Sequence, residues 1–260
     1  MKKIISVLLL TAMLVTASAC GVNSGKGNGE GGGETVSTEP YSEKILRDKT
    51  VKNEYKAADG TVTYVVDAVL PEVFGLSEGI CDTINTIFNT IVTEAGVLAQ
   101  ANVEHAANYM KSFGLDKPWT RTVRYEIKFC NARYLCIVIS DKVPLTADTE
   151  LVARTFDLTT GNMISLSELE TDGVTGLDES VKSEVISALI AKAESLAGAQ
   201  LTDEQIANLK KEVDFGNFWF DEFQFGVLMP MSKISPDFAG KGYTEASFFL
   251  SDYGMEIPEK

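Results

Sequence analysis

The sequence predicts an α+β fold: an antiparallel sheet with long helices packed on one face, arranged as two sequential sub-domains. Three observations lead there. A β-branched run at residues 61–69 comes before one long segment whose apolar residues recur near the 3.6 period. A regular alternation at residues 120–130 then puts Val123, Tyr125, Ile127 and Phe129 on one face, with Arg124, Glu126 and Lys128 on the other. Strands and helices follow in mixed order, with neither βαβ repetition nor an internal repeat of fixed period.

Each element has its own signal. The run Thr61-Val62-Thr63-Tyr64-Val65-Val66 continues to Val69 as a strand that Pro71 ends. Ser77 can cap the long helix. Ile80, Ile84, Ile87, Phe88, Ile91, Ala95, Leu98, Tyr109 and Phe113 form its stripe, and Gly114 closes it. Gly96 offers a point of division within it. Residues 120–130 and 133–140 read as a hairpin joined at Asn131-Ala132. A strand at 151–158 runs into the turn Thr159-Thr160-Gly161-Asn162. An amphipathic helix at 178–196 follows, with Val181, Val185, Leu189 and Leu196 on its apolar side. Thr202-Asp203-Glu204-Gln205 is a capping box that opens a short helix ending near Lys211. Alternation returns at 217–220, 225–229 and 243–250. The folded part therefore divides into residues 41–145 and 146–260.

The N-terminus carries a different message. Lys2 and Lys3 precede an apolar run from Ile4 to Val15, and Ala17-Ser18-Ala19 supply small residues before Cys20. The run is shorter than the roughly 20 apolar residues a bilayer span requires. The pattern resembles a bacterial lipobox, which makes residues 1–19 a signal peptide and Cys20 the lipidation site. Each buried CH₂ of the fatty chains would contribute about 0.8 kcal/mol to membrane binding. Residues 20–40, rich in Gly, Ser, Asn and Glu, then read as a lipidated cysteine and flexible tether. The expected location is extracytoplasmic, on the bacterial membrane, with no contact to the bilayer beyond the lipid.

Composition narrows the chemistry. The 260 residues hold 23 basic and 37 acidic side chains, a formal charge of −14. No Lys/Arg run exceeds two, so the basic patch that nucleic-acid binding needs is missing. An acidic body attracts cationic partners instead. The one histidine, His105, reads as a helix-surface residue, since zinc hydrolases take two or three and no G-x-S-x-G motif accompanies it. Gly25-Lys26 is followed by Gly27, not Ser or Thr, so no phosphate loop is present. No C-x-x-C occurs, and neither a metal nor a cofactor is expected. Beyond Cys20 the cysteines are Cys81, Cys130 and Cys136, an odd number. A two-residue turn would set Cys130 opposite Arg133 and Cys136 opposite Ile127, too far apart to bridge, so free thiols are expected.

One stretch stands out as a binding surface. Phe218-Trp219-Phe220-Asp221-Glu222-Phe223-Gln224-Phe225 puts two acids among five aromatic residues. The acids suit a hairpin turn better than a glycosidase pair, whose carboxyls sit roughly 5–10 Å apart across a sugar. The aromatics suit either the core of a sheet or a groove. The groove reading names Trp219, Phe220, Asp221, Glu222 and Phe223.

The run Phe156-Asp157-Leu158-Thr159-Thr160-Gly161-Asn162-Met163-Ile164-Ser165-Leu166-Ser167-Glu168-Leu169 is a strand end, a Thr-Gly turn and an aliphatic-Ser-Leu-x-Glu-Leu step. With Phe218-Trp219-Phe220, Gly226-Val227-Leu228 and the segment from Met231 to Gly240, it resembles the extracytoplasmic domain of RsiV-like lysozyme-binding anti-sigma factors. PdaC-like peptidoglycan deacetylases carry the same domain before their catalytic part. The likeness extends over residues 55–257. Many such domains have a Gly-Gly-Ala-His-type loop where this chain reads Ser140-Asp141-Lys142-Val143-Pro144-Leu145-Thr146. Neither a sigma-binding segment nor a deacetylase domain is found in the 260 residues. The resemblance therefore implies a stand-alone outer domain on a lipid anchor.

Two functions follow as expectations. The first is a non-catalytic binding module at the cell surface, for a cationic protein such as lysozyme or for cell-wall glycan. The second is an envelope enzyme acting on peptidoglycan, with a site that spacing alone does not group. A solute-binding lipoprotein would need two α/β lobes, which this order of elements does not supply.

Overall fold

A computed structural model of the chain describes residues 40–146, 149–169 and 179–253. The expected signal peptide, Cys20 and the expected tether up to residue 39 lie outside the described residues. The described residues form one compact unit.

The fold is α+β. After a one-turn helix, α1 (Tyr41–Ile45), strands β1 (Leu46–Lys56) and β2 (Val62–Val73) pair as an antiparallel hairpin. Its turn uses Gly60 at φ 88°, with the Asp59 carboxylate accepting the Thr61 N–H at 2.9 Å. Helix α2 (Glu78–Phe113) then crosses the sheet and delivers β3 (Trp119–Cys130) alongside β2. That pairing is parallel, from Tyr64 opposite Trp119 to Ala68 opposite Val123. A helical crossover is what a parallel pair requires. The sheet is therefore mixed, where a wholly antiparallel one was expected. Strands β4 (Tyr134–Lys142) and β5 (Glu150–Asp157) complete the order β1-β2-β3-β4-β5.

Helices α3 (Glu179–Ala197) and α4 (Asp203–Glu212) lead to β6 (Phe218–Phe220) and β7 (Gln224–Pro230). The short helix α5 (Met231–Ile234) and strand β8 (Tyr243–Phe249) follow. β6, β7 and β8 form a separate antiparallel sheet. β5, expected beyond the 145/146 division, hydrogen-bonds along β4 and so belongs to the first sheet.

Helix α2 is one continuous 36-residue helix. Gly96 does not divide it. A Cβ there would lie 2.5 Å from the Tyr55 hydroxyl, so the glycine lets β1 approach the helix. Gly114 ends the helix in the left-handed region. Asn85 fixes α2 to β2 by accepting the Val73 N–H and donating to the Val73 carbonyl. Ile84 and Phe88 pack with Leu70, Val123, Leu135 and Phe156, while the small side chains of Ala95, Ala99 and Ala106 face Tyr64 and Val66.

Strand β4 is buried on both faces, which is why it reads as the near-continuous apolar run Tyr134-Leu135-Cys136-Ile137-Val138-Ile139. Leu135, Ile137 and Ile139 join the core under α2. Tyr134 and Cys136 join a second core with Val185 and Leu189 of α3, Leu209 of α4, and Phe218, Phe220, Phe225 and Val227 of the small sheet.

The β3–β4 register differs from the expected one. The turn is closed between Asn131 and Tyr134, the Asn131 N–H donating to the Tyr134 carbonyl at 3.0 Å, and the Asn131 side-chain oxygen accepts the N–H groups of Arg133 and Tyr134 at 2.8 and 2.7 Å. Cys130 consequently sits opposite Leu135, and Cys136 opposite Phe129. A bulge between Ile127 and Phe129 breaks the alternation. Phe129 thereby leaves the α2 side that Tyr125 occupies and packs into the second core, 4.9 Å from Phe220. Cys81, Cys130 and Cys136 are free thiols, and Cys130 and Cys136 serve different cores.

Candidate functional site

The β6–β7 hairpin builds the surface that the aromatic stretch suggested. Its alternation sends Phe218, Phe220 and Phe225 inward, each fully buried, so they anchor the hairpin in the second core. Phe220 is therefore not a groove residue. Burial also accounts for its ring, which stacks on Phe218 at 6.2 Å and meets Tyr134 edge-on at 5.9 Å.

Asp221 makes the turn. Its Oδ1 accepts the N–H groups of Phe223 and Gln224, both at 2.8 Å, and its own N–H donates to the Gln224 carbonyl. A carboxylate committed this way holds backbone and is poorly placed for acid–base work. Glu222 and Phe223 are thrown outward at the tip, and Phe223 is 68% exposed.

Trp219, half-buried at the edge of the second core, lies over Gly226, its cross-strand partner. A Cβ on Gly226 would meet the indole at 2.6 Å. The indole N–H donates to Glu245 at 2.7 Å, and the Lys128 ammonium sits 5.4 Å from the ring centre. Its ring is thus occupied by the protein itself.

The groove that does form holds about 320 Å³ and joins two distant parts of the chain. Asp221, Glu222 and Phe223 make one wall; Ile127, Lys128 and Phe129 of β3 make the other. Three of the five residues named from sequence line it, and Trp219 borders it through Lys128. The β3 wall was invisible from sequence, because it includes the bulge between Ile127, 37% exposed, and Phe129, which the regular alternation of the strand does not reveal. Phe249, 54% exposed, lies opposite Gln224 on the neighbouring strand β8.

Charge on this surface is mostly negative. Lys128 pairs with Glu126 at 2.8 Å, Glu245 is engaged by Trp219, and Glu222 makes no ion pair or hydrogen bond among the described residues. Cys130 also lines the groove, but burial raises its thiol to about 12, so it is protonated at neutral pH. His105 is exposed on α2, its ring 5.3 Å from that of Trp119. Among the described residues no group of three His, Cys, Asp or Glu side chains could hold a metal ion.

Fold and site together define an α+β protein of two packed sheets, with an aromatic and acidic hairpin tip presented to solvent. No family model matches the chain, and no curated protein matches it by sequence. Among solved structures it is similar to a member of the DUF3298 family from Bacteroides fragilis. That likeness has a TM-score of 0.49 and 11% identity, covering 82% of this chain and 94% of the other. A DUF3298 family protein from Pseudomonas aeruginosa is similar with a TM-score of 0.45 and 13% identity, over 82% and 95% of the two chains. At such identity and TM-score the likeness assigns no role to a residue.

Proposed function

We propose that the chain is a non-catalytic binding module displayed outside the cytoplasm on a lipid anchor at Cys20, and that its groove takes a cationic protein such as lysozyme. The observation that carries this reading is the hairpin tip. Phe223 stands 68% exposed beside the unpaired Glu222, on a turn fixed by three buried phenylalanines. A rigid aromatic anchor ringed by acids suits a Lys- or Arg-bearing surface. The formal charge of −14 would steer such a partner toward it.

Cell-wall glycan is the second reading, favoured by the open faces of Phe223 and Phe249. One experiment separates these from an envelope enzyme. The full chain is mixed with lysozyme, and separately with peptidoglycan fragments, at low and high salt. Retention of lysozyme that weakens with salt, without turnover, is expected. Salt-insensitive retention of the fragments would favour glycan, and released sugar or acetate would overturn the non-catalytic reading. A Cys20→Ala chain that still sediments with membranes would overturn the anchor.

A further inference from the structure

A second cleft, of about 530 Å³, lies where the end of β4 and the start of β5 meet the segment connecting β7 to β8. That volume falls within the roughly 300–1,000 Å³ of small-ligand sites. Asp141 and Glu150 are on one side; Ser232 and Lys233 of α5 and the ring of Tyr243 are on the other.

The charges of this cleft are arranged in an unusual way. Asp141 and Glu150 are direct partners across the β4–β5 ladder. Like charges in that position destabilise a sheet. Arg121 bonds only one of them directly: its Nε and Nη2 hold the Asp141 carboxylate in a buried pair, while Glu150 feels Arg121 and Arg154 only at longer range. Glu150 is exposed and makes no ion pair or hydrogen bond among the described residues. The same is true of Lys233, which lines the same cleft. A carboxylate and an ammonium thus face one cavity, neither in a direct ion pair or hydrogen bond among the described residues, and not within ion-pair reach of each other. Glycine serves the floor for its backbone: Gly242 has φ 76°, and a Cβ there would touch nothing within 4 Å.

We propose that this cleft binds a small zwitterion, an amino acid or a short peptide with both ends free. The ligand's ammonium group sits against Glu150 and the Arg121-held Asp141, and its carboxylate is met by Lys233, with the Ser232 hydroxyl beside it. Pro230 and Val143 supply apolar wall for the body of the ligand. A ligand with both charges satisfies both unpaired groups at once, whereas a singly charged one leaves the other unpaired. The site is separate from the hairpin groove and does not depend on what binds there.

The test uses the full chain in detergent, titrated with alanine and with alanyl-alanine and followed by ligand-observed NMR. Saturable binding of either is expected, with N-acetylated and C-amidated alanyl-alanine each at least tenfold weaker. Glu150→Gln should abolish the discrimination against the N-acetyl form. Lys233→Met should abolish the discrimination against the amide. Both lie at exposed positions, and Phe223→Ala should change neither. Equal binding of the capped forms, variants that bind like the parent chain, or no binding of either probe at millimolar concentration would overturn the proposal.

Discussion

Arg121 and Asp141 form a buried ion pair between β3 and β4, the guanidinium Nε lying 2.9 Å from Oδ1 while Nη2 reaches Oδ2. The two residues are 7% and 8% exposed, and the remaining Nη1 has no hydrogen-bond partner among the described residues. Attraction and desolvation nearly cancel in such a pair, but removing one partner strands the other charge. Asp141→Ala should therefore lower stability by about 3–5 kcal/mol in urea unfolding, while Arg121→Met combined with Asp141→Leu should recover most of the loss. A double variant no more stable than the single one would show that the pair itself is net stabilising.

The cysteines should be chemically quiet. Burial pushes the Cys136 thiol up to about 11 and the Cys130 thiol to about 12. Thiolate, the reactive form, is then scarce at pH 8. Native protein treated with iodoacetamide at pH 8 should leave both unlabelled, and denatured protein should label both without prior reduction. Mass spectrometry reads the result. A requirement for reductant would mean that a bridge had formed, which their placement in different cores opposes.

Glu168 should contribute a small acid-sensitive share of stability. It closes a capping box around Leu166–Glu168, accepting the Ser165 N–H at 2.8 Å and the Ser165 hydroxyl at 2.7 Å. Those bonds, the backbone one first, favour the charged form and lower its pKa from 4.5. A lowered native pKa gives stability that is complete above the unfolded value and is lost as pH falls through the native one. Between pH 6 and 3 the melting temperature of the parent should accordingly fall more steeply than that of Glu168→Gln. Parallel curves would assign no such role to the carboxylate.

How legible the fold was depended on whether a signal was local. Gly114, Thr202 with Gln205, and the alternation of Phe218, Phe220 and Phe225 carry their meaning within a few residues, and the structure uses them accordingly. The parallel β2–β3 pairing was hidden because nothing in residues 62–73 or 119–130 records direction; only the path of α2 does. The bulge at Ile127 was hidden for a similar reason. Alternation in the sequence is unbroken there, and the shift shows only in how β3 pairs with β4, Ile127 opposite Ile137 but Phe129 opposite Cys136. The groove inherits that blindness, since one of its walls is made by the bulged strand.

Gly226 should resist substitution although its backbone is ordinary. The Trp219 ring occupies the space a side chain would need, at 2.6 Å from an added Cβ. Gly226→Ala must displace the indole and stretch its bond to Glu245. A cost of about 1–3 kcal/mol is expected, as for other overpacked sites. Changed tryptophan fluorescence should accompany it, and an unchanged spectrum would indicate that the strand moves instead.

Two phenylalanines three residues apart on one hairpin should behave oppositely. Phe220 is fully buried between Phe129, Tyr134 and Phe218, so Phe220→Ala should cost about 3–5 kcal/mol through lost burial and the cavity left behind. Phe223 is 68% exposed and supports nothing beneath it, so Phe223→Ala should stay within about 0.5 kcal/mol of the parent. The order reverses for binding. If the hairpin tip is the recognition surface, Phe223→Ala should weaken lysozyme retention at least tenfold while leaving urea unfolding unchanged. A Phe223→Ala chain that retains lysozyme as well as the parent would remove the groove from the binding surface, because a neutral effect on folding leaves no structural excuse for an aromatic ring held in water.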